Sequence, residues 1–404
     1  MASPTLLLSA LFLVSFCSTH VRAIAPTYQD FEIAPTYQDF QIAPTSQPHG
    51  IAPPTSQPPG ISPPTSFYSI DYLFQFGDSI SDTGNLVIES PVRAHNFAAY
   101  PYGMTMHNPT GRCSDGLLMI DQFAKFFDKP FLNPYLAKGD DFSQGVNFAV
   151  AGSTALDSDT LHSNGIVSPV TTSSLNVQLD WFKTHLDTIC DDALDCWDKL
   201  SRSLVLIETG GNDYNYAMLQ GKTMDQVRDM VPQVVETIIN AAKQVISYGV
   251  TRVYIPGNFP IGCLPIYKAT FESDYTLDGL NCLDGLNAFA RYHNDHLKEA
   301  IKELQQDYPE VTVVYGDYYS ALSSVLKNAG ALGFDVPSMF KACCGSGDND
   351  YNFDLTKICG TEGFEVCADP NQFISWDGIH MTQQTYKRMS QWLLPRLVQE
   401  LNRV

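Results

Sequence analysis

Four short segments combine glycine-rich turns with residue types suited to acyl transfer. They read Gly77-Asp78-Ser79-Ile80-Ser81-Asp82-Thr83-Gly84-Asn85, Ala151-Gly152-Ser153, Thr209-Gly210-Gly211-Asn212-Asp213 and Asp377-Gly378-Ile379-His380. A serine hydroxyl is a weak nucleophile at neutral pH unless an adjacent base takes its proton. Ser79, on a turn that opens with Gly77, is the candidate nucleophile, and His380 is the candidate base. Asp377 lies three residues before His380, close enough within one turn to accept the imidazole N–H and fix its tautomer. Attack on an ester carbonyl creates an oxyanion. The candidate donors to it are the backbone N–H of Ser79, the N–H of Gly152 and the side-chain amide of Asn212. Glycine at 152 lets the backbone come close to a substrate. Each residue alone has a plainer reading: a helix-capping serine, a turn glycine, a turn asparagine, a chance D-x-x-H. The functional reading rests on their convergence.

That convergence depends on the elements that carry the segments. Short apolar runs rich in β-branched and aromatic residues predict strands over 72–76, 146–150, 204–208, 252–256 and 311–315. Apolar residues recur at three-to-four spacing over 227–248, 284–306 and 382–402, which predicts helices. Strands alternating with helices predict a parallel sheet covered on both faces. In such sheets ligands bind beyond the carboxyl ends of the strands. Three of the four segments follow predicted strands, and the fourth precedes the last helix. All should fall on one edge of the sheet.

With these residues in place, a resemblance can be stated. F-G-D-S-I-S-D-T-G-N (76–85), N-F-A-V-A-G-S (147–153), G-G-N-D-Y (210–214) and D-G-I-H-M-T (377–382) resemble the four signature blocks of the GDSL esterase/lipase family, the SGNH hydrolases. The plant branch is the nearest match, and the likeness spans nearly all of 70–400. It implies a flavodoxin-like three-layer α/β/α sandwich with a central parallel sheet. It implies Ser79 as nucleophile, Asp377 and His380 as the rest of the triad, and Ser79, Gly152 and Asn212 as oxyanion donors. The first block reads GDSI rather than GDSL, a conservative change. P-Y-G-M-T (101–105), P-T-G-R-C-S-D-G (109–116) and N-P-Y-L (133–136) resemble a narrower branch, that of the acetylajmalan and sinapine esterases. That likeness implies a small ester of specialised metabolism as substrate.

Composition narrows the partners. The 404-residue chain carries 24 Lys+Arg against 44 Asp+Glu, a net charge of −20. Phosphate binding needs concentrated positive charge, so nucleic acid is not expected as a partner, nor is docking to an anionic membrane. No cofactor and no metal are expected. Residues 348–354 begin like a calcium loop, but Phe353 and Cys359 stand where glycine and glutamate are needed. There is no G-x-S-x-G, H-E-x-x-H or P-loop motif.

Residues 1–23 have an apolar run over 6–16 and end Val21-Arg22-Ala23, the pattern of a secretory signal peptide. The run is too short for a membrane span, and no integral membrane segment is expected. Residues 24–66 repeat the theme IAPTYQDF with heavy proline content, which predicts an extended, disordered linker. Residues 67–404 then form the hydrolase domain. Cleavage after Ala23 removes Cys17 and leaves nine cysteines. An oxidising route favours disulfides, and short loops suggest Cys190–Cys196, Cys263–Cys282 and Cys359–Cys367, with at least one thiol left over. No N-x-[ST] acceptor is present, so no N-glycan is expected. The destination read from these features is the extracellular space or the vacuole.

The sequence therefore predicts a serine ester hydrolase working through an acyl-Ser79 intermediate on a small metabolite ester. An acyltransferase would use the same intermediate, and a lipase would take longer acyl chains. A non-catalytic wall-associated binding protein would not need the intact set of Ser79, Gly152, Asn212, Asp377 and His380.

Overall fold

A computed structural model describes residues 70–92 and 94–403. The expectations for 1–23 and 24–66 lie outside the described residues. Five strands form one sheet: β1 (Tyr72–Gly77), β2 (Gly145–Asn147), β3 (Ser203–Glu208), β4 (Arg252–Pro256) and β5 (Thr312–Gly316). All neighbours are parallel, in the order β2-β1-β3-β4-β5. That is the flavodoxin-like order, and its switch point lies where β1 is flanked by β2 and β3. Every residue of β3 is buried, as expected of a strand covered on both faces.

The covering helices, labelled in chain order, are α1 (Met119–Phe126), α2 (Leu175–Ile189), α3 (Gly211–Leu219), α4 (Val231–Ser247), α5 (Pro265–Phe271), α6 (Asp284–Asp307), α7 (Tyr318–Lys327) and α8 (Gln383–Leu401). One layer packs α2, α4 and α6 together; the other packs α8 between α1 and α7. Phe74 and Phe76 of β1 meet Phe182 of α2 edge-on on the first side. Tyr254 of β4 meets Phe123 of α1 on the second. The three-layer sandwich expected from the alternation is present.

Two elements differ from expectation. The regular second strand ends at Asn147 rather than 150, although Phe148 N–H and Val150 N–H still donate to the Gln75 and Gly77 carbonyls of β1; between them the Ala149 N–H goes to Asn147 Oδ1 at 2.9 Å. The helix expected over 227–248 is broken at Met230 into Met224–Asp229 and α4, which carries Pro232 in its first turn. Proline lacks an N–H to donate and costs little in that first turn, where the N–H would have no helical partner.

The disulfides correct one expected pair. Cys190–Cys196 and Cys263–Cys282 form as the loop lengths suggest. Cys359 and Cys367 are not joined; the bridges are Cys343–Cys367 and Cys344–Cys359. The reason lies in a small antiparallel ribbon that pairs Cys344 with Val366. That register sets Cys343 directly opposite Cys367, while Cys344 points to the other face and reaches Cys359. Cys113 is the free cysteine among the described residues, and it is buried.

Candidate active site

The turn after β1 exposes Ser79 at the switch point. Ser81 N–H and Asp82 N–H both donate to the Asp78 carbonyl, and Ile80 N–H donates to Asp78 Oδ1 at 3.0 Å. These bonds close a tight turn and leave the half-buried Ser79 at its apex. Gly77 is required here, because a Cβ would lie 2.1 Å from the Glu208 carbonyl oxygen. Ser79 Oγ lies 2.7 Å from His380 Nε2. His380 Nδ1 lies 2.7 Å from Asp377 Oδ2. The three residues predicted from sequence therefore form one continuous hydrogen-bonded chain. Asp377 and His380 are 6% and 5% exposed, so the pair is sheltered from water behind Ser79.

Asp377 holds the histidine in two ways. Its Oδ1 accepts the backbone N–H groups of Ile379 and His380 at 3.0 and 2.8 Å, which sets the turn. Its Oδ2 accepts Nδ1–H and, in addition, the Tyr102 hydroxyl at 2.9 Å. Burial pushes the Asp377 carboxyl up, but the imidazole and the two backbone donors outweigh it and hold the group below the usual carboxylate range. An ionised acceptor on Nδ1 places the imidazole proton there and leaves Nε2 free to accept from Ser79.

Gly152 and Asn212 reach the same edge from β2 and β3. The Asn212 amide donates to the Ser153 carbonyl at 2.9 Å, joining the two loops. Gly152 adopts φ +83°, and a Cβ there would lie 2.5 Å from Val170 Cβ. No side chain larger than hydrogen fits without moving Val170. Among the described residues, the N–H groups of Ser79 and Gly152 donate to no protein acceptor. Backbone donors left open at a strand edge beside a nucleophile suit a developing oxyanion.

Buried carboxylates that sequence reasoning passed over fix these loops. Asp82 is fully buried, and its oxygens accept the N–H groups of Gly84, Asn85, Leu86 and Ala151 at 2.6–3.0 Å. It thus ties the Ser79 turn to the residue before Gly152. Asp213 accepts the N–H groups of Ala155 and Leu156 at 2.8 and 2.9 Å, tying the Asn212 turn to the same loop. Burial pushes Asp82 up to about 6 and Asp213 up to about 7. Below the turn, Asp78 and Glu208 face each other; burial raises Asp78 to about 6, and burial together with the Asp78 charge raises Glu208 well above its ordinary range. Glu208 also accepts the Ser81 hydroxyl at 3.0 Å. Asp82 and Asp213 stood inside the blocks read for chemistry, so their positions were visible and their roles were not. Tyr102 stood in the P-Y-G-M-T stretch read for resemblance, but its contact with Asp377, 275 residues away, was not visible there.

Comparison with known proteins fits this geometry. The GDSL-like Lipase/Acylhydrolase family model matches residues 73–393. The chain belongs to that family. It is 41% identical to acetylajmalan esterase of Rauvolfia serpentina over 337 residues, covering 82% of this chain and 86% of that one. It is 42% identical to a GDSL esterase/lipase of Arabidopsis thaliana over 331 residues, covering 80% of this chain and 81% of that one. A solved phospholipase A1 from Streptomyces albidoflavus NA297 aligns over 73% of this chain and 95% of its own, at 14% identity and a TM-score of 0.35. Membership in the family makes the chain a carboxylic-ester hydrolase. The four disulfides among the described residues fit an oxidising compartment. Among the described residues no helix is long and apolar enough to cross a membrane.

Proposed function

We propose that the chain hydrolyses small esters of specialised metabolism through an acyl-enzyme on Ser79. The observation that carries this reading is the 2.7 Å contact of Ser79 Oγ with His380 Nε2, backed by the 2.7 Å contact of His380 Nδ1 with Asp377. As Ser79 Oγ forms its bond to the ester carbonyl carbon, its proton passes to Nε2. The carbonyl oxygen becomes an oxyanion facing the Ser79 and Gly152 N–H groups and the Asn212 amide. Collapse breaks the bond to the alcohol oxygen, which leaves with the proton from Nε2. Water then gives its proton to Nε2 and attacks the acyl carbon. The second tetrahedral intermediate releases the acid, and Ser79 Oγ regains the proton. No step calls for a metal or a cofactor.

The small-ester reading is supported by the likeness to a relative named acetylajmalan esterase. Residues 1–23 serve as a signal peptide, 24–66 as a linker and 67–404 as the hydrolase domain, with the apoplast or vacuole as destination; the disulfides support the secretory route. The test is a chain-length series of p-nitrophenyl esters, acetate to palmitate, with wild type and Ser79→Ala. Preference for acetate with a dead variant is expected. A preference for palmitate moves the substrate class to lipids. Full activity of Ser79→Ala removes Ser79 as nucleophile.

A further inference from the structure

The oxyanion-hole amide does not stand alone. Asn212 and Asn215 lie three residues apart near the start of α3, so their side chains share one face of the helix. Asn215 Nδ2 donates to Asn212 Oδ1 at 3.2 Å. The Tyr267 hydroxyl in turn donates to Asn215 Oδ1. The polarity of this chain is fixed from one end. The Ser153 carbonyl can only accept, so the Asn212 atom facing it at 2.9 Å is the NH2. Asn212 Oδ1 must then face a donor, which turns the Asn215 NH2 toward it. Asn215 Oδ1 is left facing Tyr267, whose O–H completes the sequence as donor. Burial raises the Tyr267 pKa, so the phenol keeps its proton across the working range.

Tyr267 is a rigid anchor. It is 3% exposed and sits in α5, stacked on Phe271. The segment leading into α5 is held by the Cys263–Cys282 bridge and by Gly262 N–H donating to Asn287 Oδ1 at 2.9 Å. The same helix touches the other half of the site: Ile266 N–H donates to the Gly378 carbonyl at 3.0 Å, between Asp377 and His380. One disulfide-braced helix therefore holds the histidine turn through its backbone and, through Tyr267, the asparagine amide.

We infer that Asn215 and Tyr267 are positioning residues for the oxyanion donor, a relay Tyr267–Asn215–Asn212 that keeps the second amide hydrogen of Asn212 aimed at the developing charge. This rests on the proposed role of Asn212 in acyl transfer. A donor is useful only at the place the oxyanion will occupy, and an error of about 1 Å can cost on the order of a hundredfold in rate. With Asn215 gone, Asn212 keeps its bond to Ser153 but loses the partner on its oxygen and can rotate about the remaining contact.

The test is a double-mutant cycle on p-nitrophenyl acetate with Asn212→Ala, Asn215→Ala, Tyr267→Phe and the pairs Asn212→Ala/Asn215→Ala and Asn212→Ala/Tyr267→Phe. Asn212→Ala should lower kcat by about 10²–10³. Asn215→Ala and Tyr267→Phe should each lower kcat by roughly 5- to 50-fold with KM changed less than about twofold, because the oxyanion exists only after attack. In each double variant the second substitution should add less than about twofold, because the relay acts only through Asn212. Tyr267→Phe keeps the ring and its packing, so it carries the test should Asn215→Ala fold poorly. Losses that multiply in the double variants would show a general packing effect and overturn the relay. Wild-type kcat in Asn215→Ala or Tyr267→Phe, beside an impaired Asn212→Ala, would overturn the relay alone. A fully active Asn212→Ala would overturn the donor role and the relay with it.

Discussion

Replacing Asp377 by asparagine should stop turnover by moving one proton, and the hydrogen bonds around the residue say why. Four donors converge on the carboxylate: the backbone N–H groups of Ile379 and His380 on Oδ1, and His380 Nδ1–H and the Tyr102 hydroxyl on Oδ2. Asparagine keeps one acceptor oxygen and turns the other into an NH2 donor. If the NH2 faces the backbone pair, two buried N–H groups lose their acceptor, at about 1–3 kcal/mol each. If it faces the imidazole, His380 can accept at Nδ1 by moving its proton to Nε2, and the Tyr102 hydroxyl can rotate. The second arrangement is favoured by about 2–6 kcal/mol, which leaves the active tautomer at a fraction of about 10⁻² to 10⁻⁴. A protonated Nε2 cannot accept from Ser79. Loss of the negative charge beside the imidazolium adds to the defect, so kcat should fall by about 10³–10⁴ while KM changes little. Steady-state kinetics on p-nitrophenyl acetate measure this, and a thermal melt establishes that the variant is folded. Tyr102→Phe is the internal control. It removes one donor of four and leaves the tautomer intact, so its loss should stay below about tenfold. A folded Asp377→Asn within tenfold of wild-type kcat would refute the tautomer argument.

The pH dependence of stability follows from the buried carboxylates. Asp78, Asp82 and Asp213 are pushed up by burial to about 6, 6 and 7 from an ordinary 3.8, so their burial cost is absent below pH 4 and grows as pH rises toward 7. Asp377, held below its ordinary value, contributes stability that is lost only as pH falls below about 4. Buried His185 and His293, lowered to about 4 and about 3, work in the opposite sense below pH 6.5. Asp213→Asn removes one carboxylate's share, so between pH 7.5 and 5 its melting temperature, read at high salt to screen the net charge of −20, should gain less on acidification than that of wild type. Identical pH profiles would show that Asp213 is not one of the groups that set it.

What the sequence disclosed and what it hid divide along a physical line. The strands were legible because a parallel sheet buried on both faces demands unbroken apolar runs such as 204–208. The helix over 284–306 was legible because one of its faces meets α4, which imposes a 3.6-residue period. Ser79, Gly152, Asn212, Asp377 and His380 stood out because turns at strand ends need glycine, and acyl transfer needs those side chains beside it. The hydroxyl contacts of Tyr102 and Tyr267 were invisible because a buried tyrosine in an aromatic-rich chain gives no sign of its partner until the fold brings the two together. The Cys343–Cys367 bridge was missed for a related reason: loop length favours Cys359–Cys367, whereas the antiparallel register of a two-residue ribbon decides otherwise.

The buried acids join these two groups of residues. A parallel sheet ends at its carboxyl edge with loops whose N–H groups have no strand to pair with, and buried donors cannot be left open. Asp82, Asp213 and Asp377 each meet that demand by accepting N–H groups from their own or a neighbouring loop. Of these, Asp377 alone also contacts His380 Nδ1, and it is the one held below its ordinary range while Asp82 and Asp213 are raised. The difference follows from the partner. Neutral backbone donors offset desolvation only in part at Asp82 and Asp213, whereas at Asp377 the facing imidazole, by its charge and its hydrogen bond, outweighs desolvation together with them. One residue type in one kind of turn thus braces the loop in two places and orients the His380 imidazole in the third. Which it does is set by whether a histidine, rather than another N–H, completes its coordination.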